Sequence, residues 1–124
     1  MGHGDEIVIA DGNFPSVTCA QRLVRSDGHG AAPILEAILD LFPLDDYVDN
    51  PVVMMSVVPG DSTPTPPIWE TFNRILQDHG QKPNKVEFVD RDGFYKRSKE
   101  AFAVVATGES ALYANIILKK GVLK

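Results

Sequence analysis

The chain has a single cysteine, Cys19, so no internal disulfide can staple the fold. Such sparing use of cysteine suits a reducing, cytoplasmic setting. Positive charge is also in short supply. Lys and Arg number 12 against 17 Asp and Glu, for a net charge of -5. That balance argues against nucleic acid as a partner, because phosphate binding runs on clustered Lys and Arg. The densest basic run, Lys96-Arg97-Ser98-Lys99, is followed at once by Glu100 and reads as a solvated helix face. No apolar run is long enough to span a bilayer, so no membrane is expected as a partner, and Met1-Gly-His-Gly-Asp has none of the marks of a secretory signal. Metal-ligand patterning is equally thin. His3, His29 and His79 are far apart, no His-x-x-x-His spacing occurs, and Cys19 has no soft partner nearby. His3, Asp5 and Asp11, with His29 or His79 added, are the set to weigh, and no metal is expected there. Gly2-x-Gly4 precedes a strand and has no third glycine opening a helix, so it is not a dinucleotide fingerprint.

What is present is an ordinary globular composition. Hydrophobic residues make up 44% of 124 residues, enough for one core and too little chain for two. With no internal repeat and no interior linker, residues 1–124 are expected to form one domain. Strands are expected over residues 6–10, 52–58, 85–89, 102–106 and 115–118, with Leu23-Val24 a further short candidate in the ambiguous stretch 17–25. Helices are expected over 33–42, 68–79 and 94–101. Pro33 suits the first turn of the first and Pro43 stops it. Thr65 is the candidate cap of the second, Pro67 fits its first turn and Gly80 ends it. Asp90 or Asp92 is placed to cap the third. Trp69 and Phe72 read as core. Residues 59–67 form a Pro/Gly/Ser/Thr loop, the best candidate for a mobile segment. Strands alternating with helices predict a three-layer α/β fold with a largely parallel, mixed sheet. The last two strands are too close in sequence for a helical crossover, so one is expected to run antiparallel.

The first fifteen residues concentrate polar chemistry around one strand. His3 and Asp5 stand before the apolar run ending at Ala10, and Asp11 stands just after it. An imidazole titrates near neutral pH and can give or take a proton. Asp5 has two readings held about even, an orienter of His3 or a turn cap. Asp11 sits at a strand exit, where α/β sheets place ligands, although Asp before Gly is also a common turn. Arg91 follows another strand, and its guanidinium is a rigid fork of donors suited to hydroxyls or a carboxylate. Tyr113 and Asn115 flank Ala114 at the start of the last strand. Residues two apart on a strand share a face, so both side chains could address one ligand. Tyr47 and Tyr95 carry no assignment.

Gly2-His3-Gly4-Asp5-Glu6-Ile7 and Ala10-Asp11-Gly12-Asn13-Phe14-Pro15 closely resemble the opening motif of the L-fucose mutarotases, relatives of the D-ribose pyranases. The resemblance continues in order through Arg25-Ser26-Asp27-Gly28, Phe94-Tyr95-Lys96-Arg97, the run from Ala101 to Glu109, and Tyr113-Ala114-Asn115-Ile116-Ile117-Leu118-Lys119-Lys120-Gly121. It implies an aldose mutarotase that exchanges the α and β anomers of L-fucose by acid–base ring opening, with no cofactor. It implies His3 as proton donor, and Asp11, Arg91, Tyr113, Ala114 and Asn115 as sugar-binding positions. It further implies a ring-like homo-oligomer with sites near subunit contacts, and usually a helical segment ahead of Gly-His-Gly-Asp, which this chain is expected to be without. Arg at position 91 follows the fucose branch, where ribose relatives tend to have His. Ala114 follows the ribose branch, where many fucose members have Gly. The alternatives are the same chemistry on D-ribose, a non-catalytic monosaccharide-binding accessory protein, and a structural ring-forming protein.

Overall fold

A computed structural model describes residues 1–81 and 85–123. The domain expected over residues 1–124 therefore includes positions 82–84 and 124, which lie outside the described residues. Ten elements follow in order: β1 (Glu6–Ala10), α1 (Ser16–Cys19), β2 (Leu23–Ser26), α2 (Ala31–Leu41), β3 (Val52–Met55), α3 (Pro67–Asp78), β4 (Val86–Val89), α4 (Arg91–Glu100), β5 (Ala103–Thr107) and β6 (Ile116–Lys119). The six strands form one sheet in the order β2-β5-β1-β6-β3-β4. β6 runs antiparallel to both of its neighbours, β1 and β3, and the other pairings are parallel. The expected mixed, largely parallel sheet is what forms, and the antiparallel member is the last strand.

Two apolar layers follow from the two-residue period of the central strands. On one face Ile9, Val52, Met54, Ile116 and Leu118 pack with Leu35 and Leu39 of α2 and Phe72, Ile75 and Leu76 of α3. On the other, Val8, Ala10, Val53, Met55, Val104 and Ile117 pack with Phe14, Cys19, Phe94 and Ala101 beside α1 and α4. β3 is buried at every position, as a strand covered on both faces must be.

Several boundaries differ from the sequence reading. β3 stops at Met55 instead of reaching residue 58, because the chain turns there into the Pro/Gly loop. Pro66, not Thr65, is the N-cap of α3, and it offers no side-chain cap. Asp90 is the true cap of α4, accepting from the Gly93 N–H at 2.7 Å, so the helix begins three residues before Phe94. Arg97 is not a freely solvated residue. Its guanidinium donates to both carboxylate oxygens of Glu6, tying α4 to β1.

Candidate functional site

The strand order reverses around β6, with β1 on one side and β3 on the other. Crevices at the carboxyl ends of parallel strands beside such a switch are where open α/β sheets accept ligands. A cavity of about 230 Å³ lies there. Its wall includes Asp11 after β1, Met55, Val58 and Asp61 at and beyond the end of β3, Arg91 after β4, and Tyr113 and Asn115 before β6. Because β6 is antiparallel, its beginning meets the endings of its neighbours. The volume falls below the roughly 300 Å³ of drug-sized sites and suits a small polar ligand. A larger cleft of about 490 Å³ lies around Leu39, Phe42, Leu44, Val122 and Leu123. Its wall is mostly aliphatic, and Asp40 and His79 there are engaged with each other at 2.7 Å. The smaller cavity is the better site, because Arg91 and the spare hydrogen-bonding capacity of Asp11 and Asn115 converge there.

Asp11 and Asn115 form a buried, reciprocal pair. The Asp11 N–H donates to Asn115 Oδ1 at 2.8 Å, and Asn115 Nδ2 donates back to Asp11 Oδ2 at 3.2 Å. Asp11 also accepts from the backbone N–H groups of Asn13 and Ala114. Burial pushes its carboxyl above the usual carboxylate range, and these hydrogen bonds pull the other way. An amide NH₂ has two donors, so Asn115 keeps one N–H for a ligand, and Asp11 keeps lone pairs to accept from hydroxyls. Ala114 is fully buried and contributes its N–H to Asp11.

Arg91 is the first residue of α4, exposed, and without a hydrogen bond or ion pair among the described residues, so its donor fork is free for a ligand. Tyr113 has φ of 57°, rare for a residue carrying a Cβ. Its hydroxyl donates to Asp61 Oδ2 at 2.8 Å and accepts from the Val58 N–H at 3.2 Å. Tyr113 and Asn115 do converge on one cavity, but not by strand alternation. β6 begins only at Ile116, and the left-handed turn at Tyr113 aims its side chain.

His3 is elsewhere. It precedes β1 while Asp11 follows it, and five strand residues alone span about 13 Å. Its Nε2 lies 3.2 Å from Asp45 Oδ1, and its ring packs 5.5 Å from that of Tyr47. The side chain is 47% exposed, whereas Asp45 is 3% exposed. A carboxylate only accepts, so Nε2 carries the hydrogen and Nδ1 is left for proton exchange. The carboxylate that orients His3 is therefore Asp45. Asp5 takes its other reading, accepting from the Gly2 N–H at 2.8 Å in a turn.

Asp45 and Asp61 were not singled out by the sequence, and Tyr95, left without an assignment there, lines the cavity. Asp45 is hidden among three acidic residues of one loop, and Asp61 in a loop whose composition signals only turns. Strand-exit position is the signal that could have found Asp61, as it did Asp11. Among the described residues, no group of three or more His, Cys, Asp or Glu is placed to hold a metal, and no helix is long and apolar enough to cross a membrane.

Residues 1–123 match the family described as the RbsD / FucU transport protein family. A fucose mutarotase of Bos taurus is 50% identical over 131 residues, covering 99% of this chain and 82% of that protein. An L-fucose mutarotase of Actinobacillus pleuropneumoniae is 48% identical over 122 residues, covering 98% of this chain and 84% of that one. Among solved structures, the fucose mutarotase of Streptococcus pneumoniae in complex with L-fucose superposes with a TM-score of 0.96 at 52% identity. That match covers all of this chain and 87% of the other.

Proposed function

The chain belongs to the RbsD / FucU family, and on that premise we propose that it is an L-fucose mutarotase, interconverting the α and β anomers of the free sugar. The observation that carries this reading is the convergence of Asp11, Arg91, Tyr113 and Asn115 on one small polar cavity. They supply what a sugar ring needs: spare acceptors on Asp11, a free donor fork on Arg91 and a spare amide N–H on Asn115. Relatives near 50% identity that carry the fucose mutarotase name support the choice of sugar.

The reaction moves two protons. One goes to the ring oxygen and one leaves the anomeric hydroxyl, so the C1–ring oxygen bond breaks and an open-chain aldehyde forms. Rotation of the aldehyde and reversal of both transfers give the other anomer. Nothing is oxidised and no group is transferred, so the chemistry needs no cofactor. Positioned acid–base groups supply about 10²–10⁴-fold, roughly 3–5 kcal/mol of barrier.

His3 is the proton donor in this reading, and Tyr113 relays the second proton. Because His3 stands at the opposite end of β1 from the cavity of its own chain, it completes the cavity of a neighbouring copy in a homo-oligomer. Its half-exposed imidazole supports this, as does the exposed ring of Tyr47 packed beside it. The protein acts in the cytoplasm as one mutarotase domain.

Saturation transfer between the anomeric proton signals of L-fucose, with D-ribose as comparator, tests the reading. Faster α/β exchange for fucose than for ribose is expected, and His3→Gln should remove most of it while L-fucose still binds. Faster ribose exchange would move the assignment to the pyranase branch, which Ala114 favours. Binding without any acceleration would make the chain a sugar-binding accessory, the role that the transport description of the family suggests.

A further inference from the structure

The loop between β3 and α3 holds a carboxylate that sequence reading gave no role. Asp61 lines the cavity, and its two oxygens do different work. Oδ1 accepts the Thr63 N–H at 2.9 Å, which closes a tight turn within the loop. Oδ2 takes the hydrogen of the Tyr113 hydroxyl at 2.8 Å. The phenol is thereby fixed in polarity. Its hydrogen points to Asp61, one lone pair accepts the Val58 N–H, and the remaining lone pair is left to accept a proton. Tyr113 is also fixed in place. The Trp69 indole N–H donates to its backbone carbonyl at 3.0 Å, and φ of 57° is held against its cost. A side chain clamped at both ends, in a strained conformation, on the wall of a polar cavity is the signature of a functional constraint.

From this geometry we infer that Asp61 is the terminal acceptor of the proton leaving the anomeric hydroxyl, reached through the phenol of Tyr113. The inference rests on the mutarotase reading and names the base which that reading lacks. As the ring opens, the anomeric O–H gives its proton to the Tyr113 hydroxyl oxygen, and the Tyr113 hydrogen passes to Asp61 Oδ2. The C1–ring oxygen bond breaks, its electron pair stays on the ring oxygen, and that oxygen takes the proton of the donor imidazolium. The products are the open-chain aldehyde, a neutral Asp61 and a neutral imidazole. Reclosure runs each transfer backwards and restores both groups. The Thr63 N–H, then the Tyr113 hydroxyl, hold the Asp61 carboxyl below the usual carboxylate range, so it is ionised and empty at neutral pH. Asp61 acts through Tyr113 and does not need to touch the sugar.

Asp61→Asn separates this role from a structural one. With its oxygen kept on Thr63, the amide donates to the Tyr113 oxygen, so the loop stays tethered while the direction of the hydrogen bond reverses. The experiment measures anomeric exchange of L-fucose by saturation transfer, and L-fucose binding by calorimetry, for wild type, Asp61→Asn, Tyr113→Phe and the double variant. Asp61→Asn should lose about 100-fold or more in exchange with L-fucose affinity nearly unchanged. The double variant should be no slower than the slower single one, because the two groups act as a unit. Exchange by Asp61→Asn close to wild type would overturn the inference, as would a double variant whose loss is the product of the single losses. A wild-type protein that binds L-fucose without speeding exchange would overturn the mutarotase reading and this inference together.

Discussion

At the scale of single residues, the site depends on carboxylates whose roles are set by what surrounds them. Asp11, Asp45 and Asp61 are the same side chain in three settings. Asp11, the proposed sugar-binding carboxylate, is buried against an amide and two backbone N–H groups. Asp61 is surface-held and anchors a phenol. Asp45 is buried beneath His3 and accepts both from the imidazole and from the Tyr47 N–H. The acceptor behind a metal-bound imidazole, which fixes its tautomer in the same way, is worth about 10–100-fold. Asp45→Ala is therefore expected to slow anomeric exchange by about that factor, with L-fucose binding retained. Nitrogen chemical shifts of the His3 ring should show the tautomer becoming mixed. An unchanged exchange rate would remove Asp45 from the mechanism.

At the scale of elements, ties made by side chains position the helices where the backbone supplies no cap. Gly30 caps α2 without a side chain, and Glu109, far away in sequence, accepts the Ala31 N–H at 3.0 Å and holds the Ala111 N–H with its other oxygen. The loop carrying Glu109 comes so close to the turn after β2 that a Cβ on Gly108 would collide with the Asp27 carbonyl. At the other end of the helical layer, His79 joins α3 to α2. Its Nε2 meets Asp40 at 2.7 Å and its Nδ1 meets the Ile75 carbonyl at 2.8 Å. Asp40, then the carbonyl, raise the His79 pKa above its ordinary value. A raised histidine pKa adds stability that is fully present below the unfolded value of about 6.5 and is lost as pH rises through the folded value. Asp40 is 65% exposed, so solvent screens the pair to about 0.3–1 kcal/mol. Thermal melts should show His79→Ala losing more stability relative to wild type at about pH 5.5 than at about pH 9. An equal loss at both would mean that packing, not charge, holds the joint.

At the scale of the whole molecule, the sheet puts the proposed donor and the proposed binding site at opposite ends of the same strand. That arrangement makes sense if copies of the chain share sites. Mixing two inactive variants tests it. In a randomly mixed oligomer of His3→Gln and Asp11→Ala, about one site in four combines an intact His3 with an intact cavity. Unfolding and refolding the two together should recover about a quarter of wild-type exchange, well above what either variant shows alone. No recovery from oligomers shown to be mixed would return His3 to its own chain or take it out of the mechanism.

Much of this was already written in the sequence. β1 occupies the five residues expected of it, α3 follows its Trp69, Phe72, Ile75 and Leu76 spacing, and the mixed α/β layering follows from alternating patterns. Such features are local, set by side-chain periodicity and by Pro and Gly punctuation. Asp11, Arg91, Tyr113 and Asn115 could be named because strand ends and motifs are also local. The tertiary structure alone decided which Asp meets which partner: Asp45 with His3 across 42 positions of chain, Asp61 with Tyr113 across 52. It alone decided which groups join Asp11 at the cavity, since β6, entering the sheet antiparallel between β1 and β3, brings Tyr113 and Asn115 to the ends of those strands. Periodicity says which residues are buried in a strand. It says nothing of which strands lie side by side, and that neighbour relation is what assembles the site.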